Sequence, residues 1–185
     1  MDDKQIIELY FSRDEAAIDE TDKKYGKLCY GVAYNLLRDL QDSEECLNDT
    51  YLAAWNKMPP ENPNALSAFL VRIVRNISIS IFRAKRAKKR YSGFETLLSE
   101  LDECIPSPSN TENEVEGREL SRIVDDWLQG QFDSDCAIFV RRYFYGETVT
   151  KIADDFGLTP DKMSQRLFAL RKRLKAYLQK EGINL

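Results

Sequence analysis

The side chains best suited to recognition chemistry lie close together near the C-terminal end of the chain. Hydroxyl, amide, ammonium and guanidinium groups follow one another there, in Thr159, Asp161, Lys162, Ser164, Gln165, Arg166, Phe168 and Arg171. Such groups can hydrogen-bond to base edges in a DNA major groove and to the flanking phosphates. The chain has no histidine, so mechanisms that need an imidazole base or ligand are excluded. The pattern indicates DNA recognition rather than catalysis.

Two helices joined by a tight turn are predicted to position these side chains. Thr148 is the candidate N-cap of the first helix, and Gly157 can supply the positive φ of the turn. Thr159 can cap the second helix, with Pro160 at its first position. The apolar residues of the first helix are Ile152, Ala153 and Phe156, and those of the second are Met163, Leu167, Leu170, Leu174 and Tyr177. This pattern is typical of a helix-turn-helix, although a helical hairpin with a solvated basic face is the alternative.

Charge is distributed unevenly along a chain whose formal net charge is −4. Residues 62–94 contain no acidic residue, and a basic run over residues 83–90 ends this segment. Residues 91–117 carry acidic side chains, proline and glycine, but neither lysine nor arginine. We interpret the basic segment as a phosphate-contacting surface, with a solvated helix face as the alternative. The acidic segment is predicted to be a linker with a short helix around residues 96–101.

Helical periodicity dominates the rest of the chain, and no segment alternates apolar and polar residues as a strand would. Helices are predicted over residues 4–20 and 25–40, then from a cap at Asp42, and from near Ala65 through the basic run. Two more are predicted from about residue 118 and over residues 134–145. We therefore predict an all-α protein with two helical domains, residues 1–90 and 118–185, joined by the linker.

The third predicted helix carries acidic side chains on the face opposite its apolar residues. Glu44, Glu45, Asn48, Asp49 and Leu52 lie toward that face, and Asp39 and Asp42 lead into it. Carboxylates in a first turn stabilise a helix through its dipole, which is one explanation. The other explanation is an acidic docking surface for a basic partner protein.

Cysteine spacing and hydropathy limit which cellular compartment and which bound groups are expected for this protein. The four cysteines are far apart and form no C-x-x-C pair, so buried thiols in a reducing cytoplasm are expected, with no metal. No apolar run approaches the roughly 20 residues that span a bilayer. These features predict a cytoplasmic protein without membrane insertion or a cofactor.

Three motifs in order resemble conserved regions of bacterial sigma-70 factors, in their extracytoplasmic-function group. Residues 42–55 (DSEECLNDTYLAAW) are similar to the second conserved region, and residues 68–76 (AFLVRIVRN) to its promoter-melting helix. Gly146, Ile152, Ala153, residues 157–159, Arg166 and Leu167 are similar to the fourth region. The resemblance covers roughly residues 25–90 and 118–180.

The resemblance implies a non-enzymatic factor that binds core RNA polymerase and directs it to promoter DNA. By motif position it implies polymerase docking by Asp42, Glu45, Leu47, Asn48 and Asp49. It implies contacts to the −10 element by Asn62, Asn64, Ser67, Arg72, Arg75, Asn76, Ser80 and Arg83. The helix-turn-helix residues Thr159, Asp161, Lys162, Ser164, Gln165, Arg166, Phe168 and Arg171 would contact the −35 element. An anti-sigma factor is a further partner expected from the group.

Several positions depart from the pattern of the family that the chain resembles. Lys151 stands where relatives often have glutamate, Met163 replaces valine, Phe69 replaces tryptophan, and Ser80 replaces aspartate.

The main alternative to a sigma factor is a stand-alone helix-turn-helix transcriptional regulator, although no sustained dimerisation heptad is present. A recombinase-type enzyme and a purely structural helical protein are further alternatives.

Overall fold

The computed structural model describes residues 1–86, 100 and 114–183. Over these ranges all regular secondary structure is helical, which confirms the predicted all-α class. The chain divides into two compact units. The first comprises residues 1–92 with 144–146, and the second comprises residues 93–143 with 147–185.

The first unit contains α1 (Asp3–Phe11), α2 (Ala16–Leu37), α3 (Leu40–Lys57) and α4 (Leu66–Arg86). Helices α2, α3 and α4 pack against one another, and α1 packs on α2. The start of α1 is fixed by a capping box, in which the Asp2 carboxylate accepts from the Gln5 backbone N–H and the Gln5 side chain caps Asp2 in return.

Four predicted helix boundaries in this unit are wrong. The expected single helix over residues 4–20 is two helices, because the chain turns after Phe11 and Arg13 adopts a positive φ of 58°. The next helix begins at Ala16 rather than residue 25, so the predicted break between residues 20 and 25 is helical. It ends at Leu37 rather than residue 40, because Arg38 takes the left-handed conformation. The third helix is capped by Asp39 and not Asp42, since the Asp39 carboxylate accepts from the Asp42 backbone N–H at 2.9 Å.

The core of the first unit is apolar, with its buried hydroxyl groups satisfied locally. Fully buried side chains include Ile6, Tyr10, Ala17, Cys29, Ala33, Cys46, Ala54, Met58, Leu66, Leu70 and Val74. The Tyr10 and Thr21 hydroxyls lie 2.9 Å apart, and Thr21 donates to the Ala17 carbonyl at 2.7 Å. Burial raises the pKa of the Cys29 thiol to about 12, so this thiol is protonated and unreactive at neutral pH.

Cysteine placement agrees with the expectation of buried thiols for two of the four residues. Cys29 and Cys46 are buried and free, whereas Cys136 in the second unit is partly exposed. Cys104 lies outside the described residues. Within the described part of the chain no cluster of acidic or thiol side chains could hold a metal ion.

The second unit contains α5 (Glu114–Gln129), α6 (Asp133–Tyr143), α7 (Val149–Asp155) and α8 (Pro160–Lys180). Helix α8 contacts each of the other three. The core is built from Trp127, Ile138, Phe139, Tyr143, Ile152 and the inward residues of α8, and the Trp127 and Phe139 rings meet edge to face at 5.3 Å. Because α5 begins at Glu114, the predicted linker over residues 91–117 extends too far.

The remaining predictions for the segment between α4 and α5 concern residues outside the described ranges. They include most of the basic run over residues 83–90 and the short helix around residues 96–101, of which the structure describes only Glu100. Among the described residues, no helix has the length and the hydropathy needed to cross a membrane.

Candidate nucleic-acid and polymerase interfaces

Local hydrogen bonds at residues 148–158 build the first half of the predicted helix-turn-helix. The Thr148 hydroxyl accepts from the Lys151 backbone N–H at 3.3 Å and so caps α7. At the other end Leu158 N–H donates to the Ala153 carbonyl at 2.9 Å, and Gly157 N–H donates to the Asp154 carbonyl at 3.2 Å. This pair of bonds is a Schellman motif, and it requires the φ of 63° that Gly157 adopts.

The second half of the motif follows without a gap. Thr159 caps α8 by accepting from the Lys162 backbone N–H at 3.3 Å, and Pro160 occupies the first helical position. The inward stripe of α8 is Met163, Leu167, Leu170, Leu174 and Leu178. The predicted last member, Tyr177, is only partly buried, as is Phe156 on α7. Leu178 was missed because Tyr177 and Leu178 both fit the helical spacing, and only the packing of the fold decides which of them is buried.

The outward face of α8 carries most of the predicted −35 residues. Thr159, Asp161, Lys162, Ser164 and Gln165 are exposed. The Phe168 ring is 48% exposed, and the Lys172 ammonium lies 5.1 Å from its centre. Lys172 was predicted at the flank of this face, and the structure confirms that it is exposed there, two helical turns after Gln165. The exposed face thus combines donors and acceptors with an apolar ring and an adjacent cation.

Two predicted DNA-contacting arginines of α8 are already engaged inside the second unit. Arg166 donates from Nε to the Asp135 carboxylate at 2.6 Å and from Nη2 to the Ser134 hydroxyl at 2.7 Å. Arg171 donates from Nη1 to the Tyr143 hydroxyl at 2.7 Å, and only 13% of its side chain is exposed. Arg166 is thus partly available to a ligand, whereas Arg171 faces the interior of the unit.

Glu100 joins the Arg171 site to the buried Arg142 of α6. Arg142 Nε and Nη2 donate to the two Glu100 carboxylate oxygens at 3.2 and 3.0 Å, and Tyr143 OH donates to Oε2 at 3.0 Å. Arg171 Nη1 lies 3.6 Å from the same oxygen. Burial is the main cause that raises the pKa of the Tyr143 phenol, which stays neutral at the centre of this cluster. Sequence analysis missed the role of Glu100 because it lies in the predicted linker.

A second ion-pair cluster connects α6 with the helix-turn-helix. Arg141 donates from Nε and Nη2 to one Glu147 carboxylate oxygen at 2.9 and 2.5 Å, and also to the Asp155 carboxylate. The Lys151 ammonium lies 3.6 Å from the other Glu147 oxygen. The departure from the family pattern at Lys151 is therefore accommodated by a carboxylate one turn earlier.

In the first unit, the outward face of α3 presents acidic and amide side chains around an apolar one. Glu44, Glu45, Asn48 and Asp49 are exposed, and Leu52 is 58% exposed. We call these five residues the α3 face. Of the predicted docking residues, Leu47 is partly buried and Asp42 is 4% exposed. The structure therefore places Asp42 inside the unit, in the first turn of α3.

The predicted −10 residues form a mixed set on α4 and the loop before it. Asn62, Asn64, Arg72, Asn76 and Ser80 are exposed, and Ser67 is partly buried. Arg72 Nη2 lies 3.4 Å from the Glu61 carboxylate, and the Ser80 hydroxyl donates to the Asn76 carbonyl at 3.0 Å. The side chain of Arg83 lies outside the described residues.

Arg75 differs from the other predicted −10 residues because its guanidinium group is mostly buried. Burial lowers the pKa of Arg75 to about 10, so the group still carries its charge at neutral pH. Its Nε atom is buried and has no acceptor among the residues that the structure describes. A buried donor without a partner is unfavourable, so this side chain would gain from an external acceptor.

One helical unit presents the exposed acidic α3 face and the helix α4, and the other contains a helix-turn-helix.

The chain is similar to several known proteins. The family model for sigma-70 region 2 matches residues 22–88. The extracytoplasmic-function RNA polymerase sigma factor SigL of Mycobacterium tuberculosis is 22% identical over 162 residues, which covers 86% of this chain and 88% of SigL. SigL of strains CDC 1551 and H37Rv gives the same values. A solved structure of CnrH in complex with the cytosolic domain of CnrY shares 20% identity, covers 96% of this chain and 97% of that chain, and has a TM-score of 0.45.

The first unit thus contains a match to sigma-70 region 2, and most of the chain, including residues of both units, is similar in sequence to the extracytoplasmic-function sigma factor SigL.

Proposed function

We propose that this protein binds core RNA polymerase in the cytoplasm and directs it to a specific set of promoters. In this proposal the domain of residues 1–90 docks on the polymerase and captures the −10 element. The domain of residues 118–185 binds the −35 element through α8. The protein itself catalyses no reaction and needs no metal or cofactor.

The exposure pattern of the α3 face is the observation that carries the docking proposal. Glu45, Asn48 and Asp49 project from this face beside Leu52, which is 58% exposed. Protein interfaces commonly combine an apolar centre with a polar rim, and carboxylates would complement a basic partner surface. Leu52 is a better apolar anchor than the partly buried Leu47. Asp42 contributes from the interior, by shaping the first turn of α3.

Charge segregation supports the −10 proposal for α4 and its preceding loop. Asn62, Asn64, Arg72 and Asn76 present amide and guanidinium donors within a segment that contains no carboxylate. Unpaired bases offer hydrogen-bonding edges and π faces to such groups, while phosphates attract the cations. Ser67 and Ser80 extend the same surface. Arg83 remains in the proposal by its motif position. Arg75 would join it only after its guanidinium leaves its buried position.

The outward face of α8 supports the −35 proposal. Ser164 and Gln165 can exchange hydrogen bonds with base edges, and Phe168 offers an apolar surface to a thymine methyl group. Lys162 and Lys172 lie beside them and can contact phosphates. A net charge of −4 makes strong unaided DNA binding unfavourable, because affinity depends largely on released counterions. Recruitment by the polymerase would overcome that weakness.

The test is a pull-down of purified core RNA polymerase with the full chain and with the variant Glu45→Lys/Asp49→Lys. The matched control is Glu8→Lys/Asp19→Lys, which makes the same charge change at exposed positions on α1 and α2. We expect tight binding by the wild type and the control, and at least a tenfold loss for the α3 variant.

Other outcomes would redirect the proposal. If the chain binds no polymerase but binds specific DNA alone, the stand-alone helix-turn-helix regulator becomes the better description. Equal losses in both charge variants would reject the α3 face as the docking site. An anti-sigma factor is expected from the family, and co-purification with the products of adjacent genes would test for such a partner.

A further inference from the structure

A buried carboxylate on α6 connects two arginines of the proposed DNA-binding helix. Asp135 is 6% exposed, and its two oxygens accept from Arg166 Nε and Arg173 Nη2, each at 2.6 Å. The neighbouring Ser134 hydroxyl accepts from Arg166 Nη2 at 2.7 Å. Although burial acts to raise it, the hydrogen bonds from Arg173 and Arg166 bring the pKa of Asp135 below its ordinary value. The carboxylate is therefore ionised under physiological conditions.

The two arginines are related by the geometry of α8. Their spacing corresponds to two helical turns, so both lie on the same edge of the helix, between the buried stripe and the exposed face. The Arg166 and Arg173 side chains are 35% and 48% exposed. A guanidinium group has five N–H donors, and the bonds to Asp135 and Ser134 use only some of them. Each arginine therefore keeps donors that an external anion can reach.

We propose that Asp135 is a positioning residue, which orients Arg166 and Arg173 so that their remaining donors bind two backbone phosphates of duplex DNA. The inference rests on the proposed DNA-binding role of α8. It adds Arg173, which the sequence did not indicate, and gives the α6 carboxylate a role in DNA binding as well as in stability.

A positioning role and a simple charge effect of Asp135 predict opposite changes in DNA affinity for the variant Asp135→Asn. Removal of a negative charge near DNA, by itself, strengthens binding. Loss of orientation weakens it, because two long side chains must then be ordered when the phosphates bind. The sign of the measured change therefore distinguishes a positioning role from a charge effect.

The experiment measures binding of the full chain to a fluorescent random-sequence DNA duplex by anisotropy, over a range of low ionic strengths. The variants are Asp135→Asn, Asp135→Glu, Arg166→Gln/Arg173→Gln and the combination of the double arginine variant with Asp135→Asn. Asp133→Asn is the matched control, because it removes the same charge from an exposed position on the same helix. Circular dichroism selects a temperature at which every variant is folded.

We expect Asp135→Asn to weaken binding about fivefold, whereas Asp133→Asn leaves it unchanged or slightly stronger. Asp135→Glu should bind the duplex more tightly than Asp135→Asn and more weakly than the wild type. The double arginine variant lowers the slope of log affinity against log salt by about 1.8, for two phosphate contacts. In that background Asp135→Asn no longer weakens binding and has the same effect as Asp133→Asn.

Three results would overturn the inference: stronger binding by Asp135→Asn, an unchanged salt slope in the double arginine variant, or no binding of the wild type to the duplex. The proposed function is tested separately by Gln165→Ala in transcription with core polymerase from a library of genomic promoter fragments. If Gln165→Ala alters promoter choice while Asp135→Asn leaves duplex binding unchanged, only the positioning role fails. If Gln165→Ala also changes nothing, the proposed role of α8 itself fails.

Discussion

The two units surround their buried arginines with different groups. On α4, the Arg75 guanidinium is buried 5.5 Å from the centre of the Phe144 ring, and its Nε atom has no acceptor among the described residues. In the second unit, Arg142, Arg166 and Arg171 are each hydrogen-bonded to a carboxylate or to the phenol beside one. Among the described residues Arg75 thus has no ion-pair partner, whereas the charges of Arg142 and Arg166 are neutralised in part by Glu100 and Asp135.

This difference indicates how each unit would meet its ligand. A prepaired arginine stabilises the folded unit and keeps a defined orientation, but part of its charge is already compensated. A buried arginine whose Nε atom has no acceptor lowers stability, so Arg75 would gain from an external acceptor. The helix-turn-helix is therefore a preformed surface, while at Arg75 the α4 surface is incomplete.

The largest effect is expected at Arg142, which is 7% exposed and bonded to Glu100. Arg142→Met should lower the free energy of unfolding of the second unit by about 3 kcal/mol, because it leaves a largely buried carboxylate with weaker compensation. Urea unfolding followed by fluorescence measures the change. Trp127 reports on the second unit and Trp55 on the first, so a Trp55→Phe background isolates the relevant transition.

The exposed Arg122 on α5 provides the control for Arg142. Arg122→Met should change the free energy of unfolding by less than about 0.5 kcal/mol. A similarly small change for Arg142→Met would show that the Glu100 cluster contributes little, and the contrast between the units would disappear.

Arg75→Met should have a smaller effect of the opposite sign. The low pKa of Arg75, about 10, implies that its charge opposes folding at neutral pH, so the variant should be more stable by roughly 1–2 kcal/mol. The unfolded chain binds this proton more tightly, so wild-type stability rises with pH above about 10. The advantage of the variant should therefore be constant near neutral pH and shrink above that value.

Urea unfolding of the first unit in a Trp127→Phe background, repeated over pH, measures the Arg75 effect. Arg72→Met is the control, because Arg72 is exposed on the same helix and its ion pair with Glu61 is in contact with solvent. Destabilisation by Arg75→Met, with little change for Arg72→Met, would show that the buried guanidinium already has a favourable partner.

The smallest stability effect is expected at Lys172, on the exposed face of α8. Lys172→Gln should leave the free energy of unfolding within about 0.5 kcal/mol of the wild type. It should reduce the salt slope of duplex binding by about 0.9, for one lost phosphate contact. An unchanged slope would place Lys172 outside the DNA interface, and Lys180→Gln at the end of α8 serves as the comparison.

Helix identity was predictable wherever periodicity and capping agreed. The α7–turn–α8 motif follows from Thr148, Gly157, Thr159 and Pro160, each of which favours one local conformation. Two of the boundary errors, the break after Phe11 and the end of α2 at Leu37, occurred where a residue adopts an unusual conformation for its type. Arg13 and Arg38 take positive φ values, and no local preference of arginine indicates that.

The candidate site was predictable at the level of faces rather than individual contacts. Periodicity correctly placed Gln165 and Phe168 on the outside of α8 and Glu45 and Asp49 on the outside of α3. It also assigned Arg171 and Asp42 to exposed surfaces, although the structure places Asp42 in the interior and Arg171 largely so. A residue at the edge of an apolar stripe can turn either way, and its neighbours on other helices decide the direction.

The sequence by itself determined the helical class, the order of the motifs and the segregation of charge, because these depend on residues close together in the chain. Only the tertiary structure decided which charges are paired. Glu100 meets Arg142, and Asp135 meets Arg166 and Arg173, across separations that no local pattern records. Those pairings form because burial makes an uncompensated charge costly, and burial is a property of the packed fold.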